Sequence, residues 1–264
     1  MLRFIYGLWY LPIFFCLTII SGVACLIISL FSRRLTRFIT GQIWANVVLL
    51  PAFIKVEVVS GRENLPDPKA GGFIVFANHR SLLDIPVAAK ATGRNFSWVA
   101  KAALGRIPIF GWTLMRAHML VERGGSAESA KKMLDEATQR LSRGEIMAIF
   151  PEGTRNKTSE PLLPFKKGAF ILAKHTGVPL IPLAIQNSGQ LWPSGSYLPK
   201  PGLIRVAIGR PIKAEGSSLS ALAASAHAAM GELYVRLTNS PDAPTSEAQS
   251  SGAQSSDAQS QDSP

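Results

Sequence analysis

Cysteine is nearly absent from this chain of 264 residues, with Cys16 and Cys25 the two present. Both lie in an apolar block near the N-terminus, with no CxxC and no histidine close by in sequence. Disulfide, thiol-redox and cysteine-ligated metal chemistry therefore have little to build on. No G-x-S-x-G elbow occurs, so the signature of an α/β-hydrolase serine nucleophile is missing. Internal repeats are missing too. Charge is absent from residues 4–32, and lysine and arginine are absent from residues 240–264. These last two gaps divide the chain into an N-terminal apolar region over 1–54, one folded domain over 55–239, and a polar tail over 240–264.

What fills the first gap is Phe, Ile, Leu, Trp, Tyr and Val at high density, followed at once by Arg33, Arg34 and Arg37. Pro12 suits the first turn of a helix, where its missing N–H has no intrahelical partner. The 20 residues 13–32 then extend about 30 Å, the hydrocarbon thickness of a bilayer. A signal peptide has a shorter apolar core, basic residues before it and a small-residue cleavage site after it. Here the basic cluster follows and Arg3 alone precedes, so the positive-inside rule places the rest of the chain in the cytoplasm, and a bacterial inner membrane is expected. A second uncharged stretch, residues 38–54, contains Gln42 and Asn46 and reads as a re-entrant or interfacial helix packed on the first.

Formal net charge is +11, and the tail holds four acids (Asp242, Glu247, Asp257, Asp262), so the body carries +15. Such a body suits an anionic membrane surface or nucleic acid. Nucleic-acid binding does not account for the apolar N-terminus, so no nucleic-acid partner is expected. The tail, rich in Ser, Ala, Gln, Asp and Pro, cannot bury enough apolar area to order itself and is expected to be disordered.

Between these ends, short β-branched and aromatic runs alternate with helical patterns. Residues 55–60, 72–78, 96–101, 118–123, 145–150, 178–185 and 202–209 read as strands. Helices are expected over 82–92, 127–143, 167–175 and 219–237. The second of these segments, 127–143, is marked by a stripe of Ala130, Met133, Leu134, Ala137 and Leu141, with Ser126 as cap and Gly144 as stop. The alternation predicts an α/β domain with a mixed, largely parallel sheet flanked by helices.

Two polar clusters interrupt the apolar pattern at strand ends. In Asn78-His79-Arg80-Ser81-Leu82-Leu83-Asp84 an imidazole, with an unperturbed pKa of about 6.5, lies just after a strand. With His79 in the loop and Asp84 in the first turn of the next helix, the carboxylate can reach back, fix the tautomer and stabilise the imidazolium. In Phe150-Pro151-Glu152-Gly153-Thr154-Arg155 a buried strand runs into a turn that supplies backbone N–H groups, a hydroxyl and a guanidinium for a phosphate. Glu152 would repel a phosphate, so it reads as orienting Arg155 or accepting from an acceptor hydroxyl. Each cluster alone is a weak signal. Arg123, Lys166, Lys167, Lys101 and Arg106 are equally compatible with an ordinary basic surface.

In combination the signal is specific. Asn-His-x4-Asp, then apolar-apolar-x-Arg ending at Arg123, then Phe-Pro-Glu-Gly-Thr-Arg, then Val-Pro-Leu-Ile-Pro at 178–182 occur in that order. The chain here resembles the glycerolipid acyltransferase family, closest to the 1-acyl-sn-glycerol-3-phosphate acyltransferases, over residues 72–211. The resemblance implies that His79 is the catalytic base and Asp84 its partner. It also implies that Arg123, Glu152, Gly153, Thr154 and Arg155 bind the acceptor, the arginines its phosphate, and that 55–239 is the acyltransferase domain. Pro179 and Pro182 fall on its apolar motif near the acyl site.

The activity so implied moves an acyl group from acyl-CoA or acyl carrier protein to the sn-2 hydroxyl of lysophosphatidic acid at a membrane. Other acceptors within the family are lyso-ornithine lipid, another lysophospholipid, or glycerol 3-phosphate. No metal or other cofactor is expected, because a thiol leaves readily and no cluster has ligand spacing. A serine hydrolase using Ser81 is the weaker alternative.

Overall fold

The computed structural model describes residues 2–67, 69–108, 110–122 and 126–239. The chain begins with helix α1 (Leu2–Ser29), long and apolar enough to cross a membrane at a mean hydropathy of 2.6. The helix starts well before Pro12, so this proline lies in its interior and not in the first turn as expected. There it removes one backbone bond, a cost that the surrounding apolar residues have to absorb. After a turn, α2 (Arg33–Phe38) runs through a π-helical turn (Ile39–Ile43) into α3 (Trp44–Leu49). Gln42 inside that turn donates to the Ala89 and Arg94 carbonyls, so its polarity is used for docking on the domain.

The domain proper contains β1 (Ile54–Ser60), β2 (Ile74–Ala77), α4 (Asp84–Thr92) and β3 (Phe96–Lys101). A 3-10 turn (Ala102–Arg106), α5 (Phe110–Ala117) and β4 (Met119–Val121) follow. Next come α6 (Ala127–Ser142), β5 (Ile146–Ile149), α7 (Gly168–Thr176), β6 (Leu180–Gln186), the short α8 (Ser188–Leu191), β7 (Gly202–Ile208) and α9 (Leu219–Thr238). Ser126 caps α6 and Ser218 caps α9, each accepting from an N–H three residues on. Gly93 and Gly177 end α4 and α7 in the left-handed conformation that glycine takes without steric cost. Of the apolar stripe read for α6, Ala137 and Leu141 are buried, Met133 and Leu134 are half-buried, and Ala130 is exposed.

The seven strands form one sheet in the order β1-β7-β6-β2-β5-β3-β4. Every neighbouring pair is parallel except β6 and β7. The sheet is covered on both faces, as parallel sheets require. Strand alternation divides the core: Val75 and Ala77 face α1, α3 and α4, whereas Ile74 and Phe76 face α6, α7 and α9. Strand β2 sits between β5 and β6, with Phe76 level with Ile149 and Ala77 level with Leu183. The segments after β2 and β5 therefore leave the same edge side by side, at the carboxyl ends of parallel strands where open α/β sheets bind ligands.

The segment 102–117 is punctuated by Gly105, Pro108 and Gly111 and carries no element predicted from the sequence. It folds as a 3-10 turn and helix held together by close backbone approach. A Cβ on Gly111 would sit 2.4 Å from the Gly105 carbonyl oxygen.

Candidate active site

The site begins one residue after β2. Asn78 is fully buried and locks this strand end to β6, donating to the Ile185 carbonyl at 2.8 Å and accepting from the Ile185 N–H at 2.7 Å. His79 follows. Asp84, fully buried at the start of α4, turns Oδ2 back into the loop, where it accepts from His79 Nδ1 (2.7 Å), the Arg80 N–H (2.7 Å) and the Ser81 N–H (2.8 Å). One carboxylate oxygen thus shapes the whole turn. The helix N-terminus behind it also favours negative charge there. With the Nδ1 proton donated to Asp84, the lone pair of the neutral imidazole is on Nε2.

Ser81 is fully buried and committed, donating to the Trp192 carbonyl at 2.8 Å and accepting from the Leu83 N–H. This hydroxyl holds the loop and is not poised as a nucleophile.

The turn after β5 closes around His79 from the other side. Phe150 stacks on the imidazole at 3.9 Å between centroids and 11° between planes, and Trp98 of β3 stacks on Phe150 at 5.3 Å. Both backbone polar groups of His79 are held by this turn. Its N–H donates to Glu152 Oε1 at 2.8 Å, and its carbonyl accepts from the Asn156 N–H at 2.6 Å. Glu152 Oε2 accepts from the Leu163 N–H at 3.0 Å. The Glu152 carboxylate is therefore buried with both oxygens occupied, and it clamps the His79 loop instead of facing Arg155 or the open side of the site. Burial raises its pKa, opposed by the two backbone N–H groups.

Gly153 sits at φ +69°, and the Lys166 side chain lies across it, so close that a Cβ would come 2.9 Å from Lys166 Cδ. Thr154 is exposed. Arg155 is half-buried, and its guanidinium has no hydrogen bond or ion pair among the described residues, with Nε itself buried. A cation left in that state, one residue from the Asn156–His79 bond, is a ready anion receptor. Arg80 points elsewhere, bonding the Glu160 and Thr158 carbonyls at 2.8 and 2.7 Å and ordering the loop beyond the turn.

The structure thus brings His79, Asp84, Glu152, Gly153, Thr154 and Arg155 to one edge of the sheet. Arg123 lies outside the described residues, as does the tail from 240 onward. Lys101, Arg106, Lys166 and Lys167 are all exposed. Asn78, Phe150 and Trp98 contribute more to the site than their sequence positions suggested. Asn78 was detectable as a polar residue ending an apolar strand, but the aromatic stack depends on β3, β5 and β2 being neighbours.

Trp98 also lines an apolar cavity of about 120 Å³ bounded by Gly22 and Cys25 of α1 and Leu114 of α5. At its inner end is a second histidine, His118, 3% exposed. Its Nδ1 faces the Trp98 N–H at 3.2 Å and its Nε2 faces Thr40 Oγ1 at 3.4 Å. Burial lowers its pKa to about 3, reinforced by Arg37 and Arg140, while a bond to the Phe96 carbonyl acts the other way.

A family model described as acyltransferase matches residues 56–186. The chain is 32% identical over 217 residues to a chloroplastic 1-acyl-sn-glycerol-3-phosphate acyltransferase of Arabidopsis thaliana, covering 82% of this chain and 59% of the plant protein. It therefore spans about three fifths of that relative's length. A 1-acyl-sn-glycerol-3-phosphate acyltransferase of Pseudomonas aeruginosa is 31% identical over 182 residues, covering 69% of this chain and 67% of the relative. Among solved structures, the 1-acyl-sn-glycerophosphate acyltransferase of Thermotoga maritima superposes with a TM-score of 0.74 at 28% identity. That match covers 91% of this chain and 99% of the other.

Proposed function

The chain belongs to the acyltransferase family that takes in the 1-acyl-sn-glycerol-3-phosphate acyltransferases, and from that premise we propose that it acylates the sn-2 hydroxyl of 1-acyl-glycerol 3-phosphate, using acyl-CoA or acyl carrier protein and yielding phosphatidic acid. The observation that carries this reading is the 2.7 Å bond from His79 Nδ1 to the buried Asp84 carboxylate. It leaves Nε2 as the basic nitrogen, on the loop that the Asn156 N–H ties to the turn carrying Arg155, whose guanidinium has no partner among the described residues. His79 Nε2 takes the hydroxyl proton while the oxygen attacks the thioester carbonyl. The C–S bond then breaks, and the imidazolium returns the proton to the departing thiolate. Asp84 holds the imidazolium in register throughout. Base catalysis of this kind contributes about 10²–10⁴ in rate, and fixing both substrates at one edge of the sheet lowers the entropic barrier further. Arg155, with Arg123 as the family's second arginine, holds the acceptor phosphate.

A lipid acceptor calls for a membrane surface, and α1 supports one. Gly7, Tyr10, Phe14 and Cys25 face the domain, with Tyr10 and Phe14 edge-on to Trp192, and Thr18 accepts from Trp44 of α3. Phe4, Leu8, Phe15, Ile19 and Ile27, on other faces of the helix, are exposed. Contact therefore runs from residue 7 to 25, about 27 Å at about 1.5 Å per residue. A helix bound to its own domain along that length supports insertion into one leaflet over a full crossing. Residues 1–54 act as the anchor and 55–239 as the acyltransferase domain, on the cytoplasmic leaflet of a bacterial inner membrane.

The test offers purified protein a panel of lysolipids and glycerol 3-phosphate, with labelled acyl-CoA or acyl carrier protein, and identifies products by mass. Phosphatidic acid as the main product is expected. Label moving chiefly to another acceptor, or appearing as free fatty acid without one, overturns the assignment.

A further inference from the structure

The α5 segment has a face that the catalytic reading leaves unexplained. In α5, Thr113, Leu114 and Ala117 are buried, while Trp112, Met115 and Arg116 are exposed on the opposite side. Trp112 is 48% and Met115 51% exposed. The preceding 3-10 turn adds Leu104 and, just after it, Ile107, 37% and 44% exposed. The two parts are contiguous, because Met115 Cγ lies 3.4 Å from where a Cβ on Gly105 would sit. Four large apolar side chains grouped on one helical hairpin call for a partner surface, since soluble domains seldom leave such a patch bare.

The charges around it say which partner. Residues 101–117 contain Lys101, Arg106 and Arg116 and no acid, and all three bases are exposed. Helix α5 packs directly on α1 and on α2. On α2, Arg33 and Arg34 are exposed beside Leu35 and Phe38, which are 47% and 43% exposed. An apolar strip rimmed by bases, continuous with the exposed face of an apolar helix, is the pattern of an interfacial element on an anionic bilayer.

We propose that residues 102–117 form a second bilayer contact on the catalytic domain itself. Trp112, Met115, Leu104 and Ile107 enter the acyl region of the leaflet, and Lys101, Arg106 and Arg116 meet lipid phosphates at its surface. The proposal rests on the membrane reading of α1. It gives the domain a fixed tilt, with contacts on two helices instead of one, so that the cavity between α1 and α5 opens at the level of the lipid chains.

The test uses the full-length protein on vesicles of phosphatidylcholine and phosphatidylglycerol, with acyl chains brominated or not, and reads tryptophan quenching. Trp9→Phe and Trp112→Phe should each remove part of the quenched emission, reporting α1 and α5 separately. The double variant Trp112→Ser/Met115→Ser should raise the apparent KM for vesicle-borne lysophosphatidate about tenfold. Its kcat, and its KM for a short-chain acceptor free in solution, should not change. Arg106→Gln and Arg116→Gln should each weaken binding to anionic vesicles about fivefold and leave binding to pure phosphatidylcholine unaltered. Quenching that disappears with Trp9→Phe alone overturns the α5 contact and keeps the anchored reading. No quenching from either tryptophan overturns both. A Trp112 shielded by a second copy of the chain or by another protein also overturns it.

Discussion

His79 and His118 put one side chain into two opposite settings. His79 leaves the carboxyl end of β2 with its ring partly open and a carboxylate on Nδ1. His118 is sealed between α2, α5 and β3, with a backbone N–H facing Nδ1 and two arginines nearby. A carboxylate on Nδ1 leaves the other nitrogen basic and welcomes the proton it gains. A backbone N–H there occupies the basic lone pair, so protonation costs that bond as well as burying a charge. Only the first setting can move a proton. The second serves packing, with the Arg140 guanidinium bonding the His118 carbonyl and Arg37 pairing with Glu145 at 3.1 Å.

The comparison breaks most visibly at His79→Ala. Turnover should fall by about 10³-fold or more while the protein stays folded, measured as initial rates beside a thermal melt. His118→Gln should keep most of its turnover. If it lost as much while still folded, the two settings would not differ as described. Asp84→Asn should lower kcat by about 10²–10³, because the amide no longer stabilises the imidazolium or selects its tautomer. Comparable loss of acceptor affinity with kcat intact would instead make Asp84 a binding residue.

The buried histidine predicts a pH effect of its own. Its folded-state pKa is depressed to about 3, so between about 6.5 and 3 the unfolded chain binds a proton that the folded chain refuses. Stability should be complete above the unfolded value and decline as pH falls through that window, by a few kcal/mol at its lower end. Urea midpoints from pH 7 to pH 4 should fall less steeply in His118→Gln than in the parent. Equal slopes would show that this imidazole is not held neutral by burial.

Arg155→Ala carries the smallest change, a rise of about tenfold to a hundredfold in KM for the phosphate-bearing acceptor with kcat nearly kept. Arg155→Lys should recover part of it. A fall in kcat alone would place the guanidinium at the reacting carbonyl.

Much of this architecture is legible in residues taken in order. The strand read at 96–101 is found at those bounds, and the helices read at 127–143 and 219–237 end within a residue of their observed limits. Their periodicity, caps and stops are local signals. The return of Asp84 toward His79 was legible for the same reason, since a loop followed by a first turn allows it within five residues. Glu152 was harder. Its sequence neighbours suggested a partner in Arg155, whereas its two oxygens are taken by N–H groups 73 residues before it and 11 after it.

The chain's order of residues alone determined the long apolar N-terminal segment, the α/β alternation, and which side chains could serve as base, carboxylate and cation. Chemistry and local geometry set those, and both can be read along the chain. Tertiary structure decided that His79 takes a carboxylate on Nδ1 while His118 is sealed, that Glu152 became a clamp, and that Trp98 supports the imidazole through Phe150. Those outcomes depend on β2 lying between β5 and β6, and on what burial leaves beside each polar atom, quantities that exist only once distant segments are in contact.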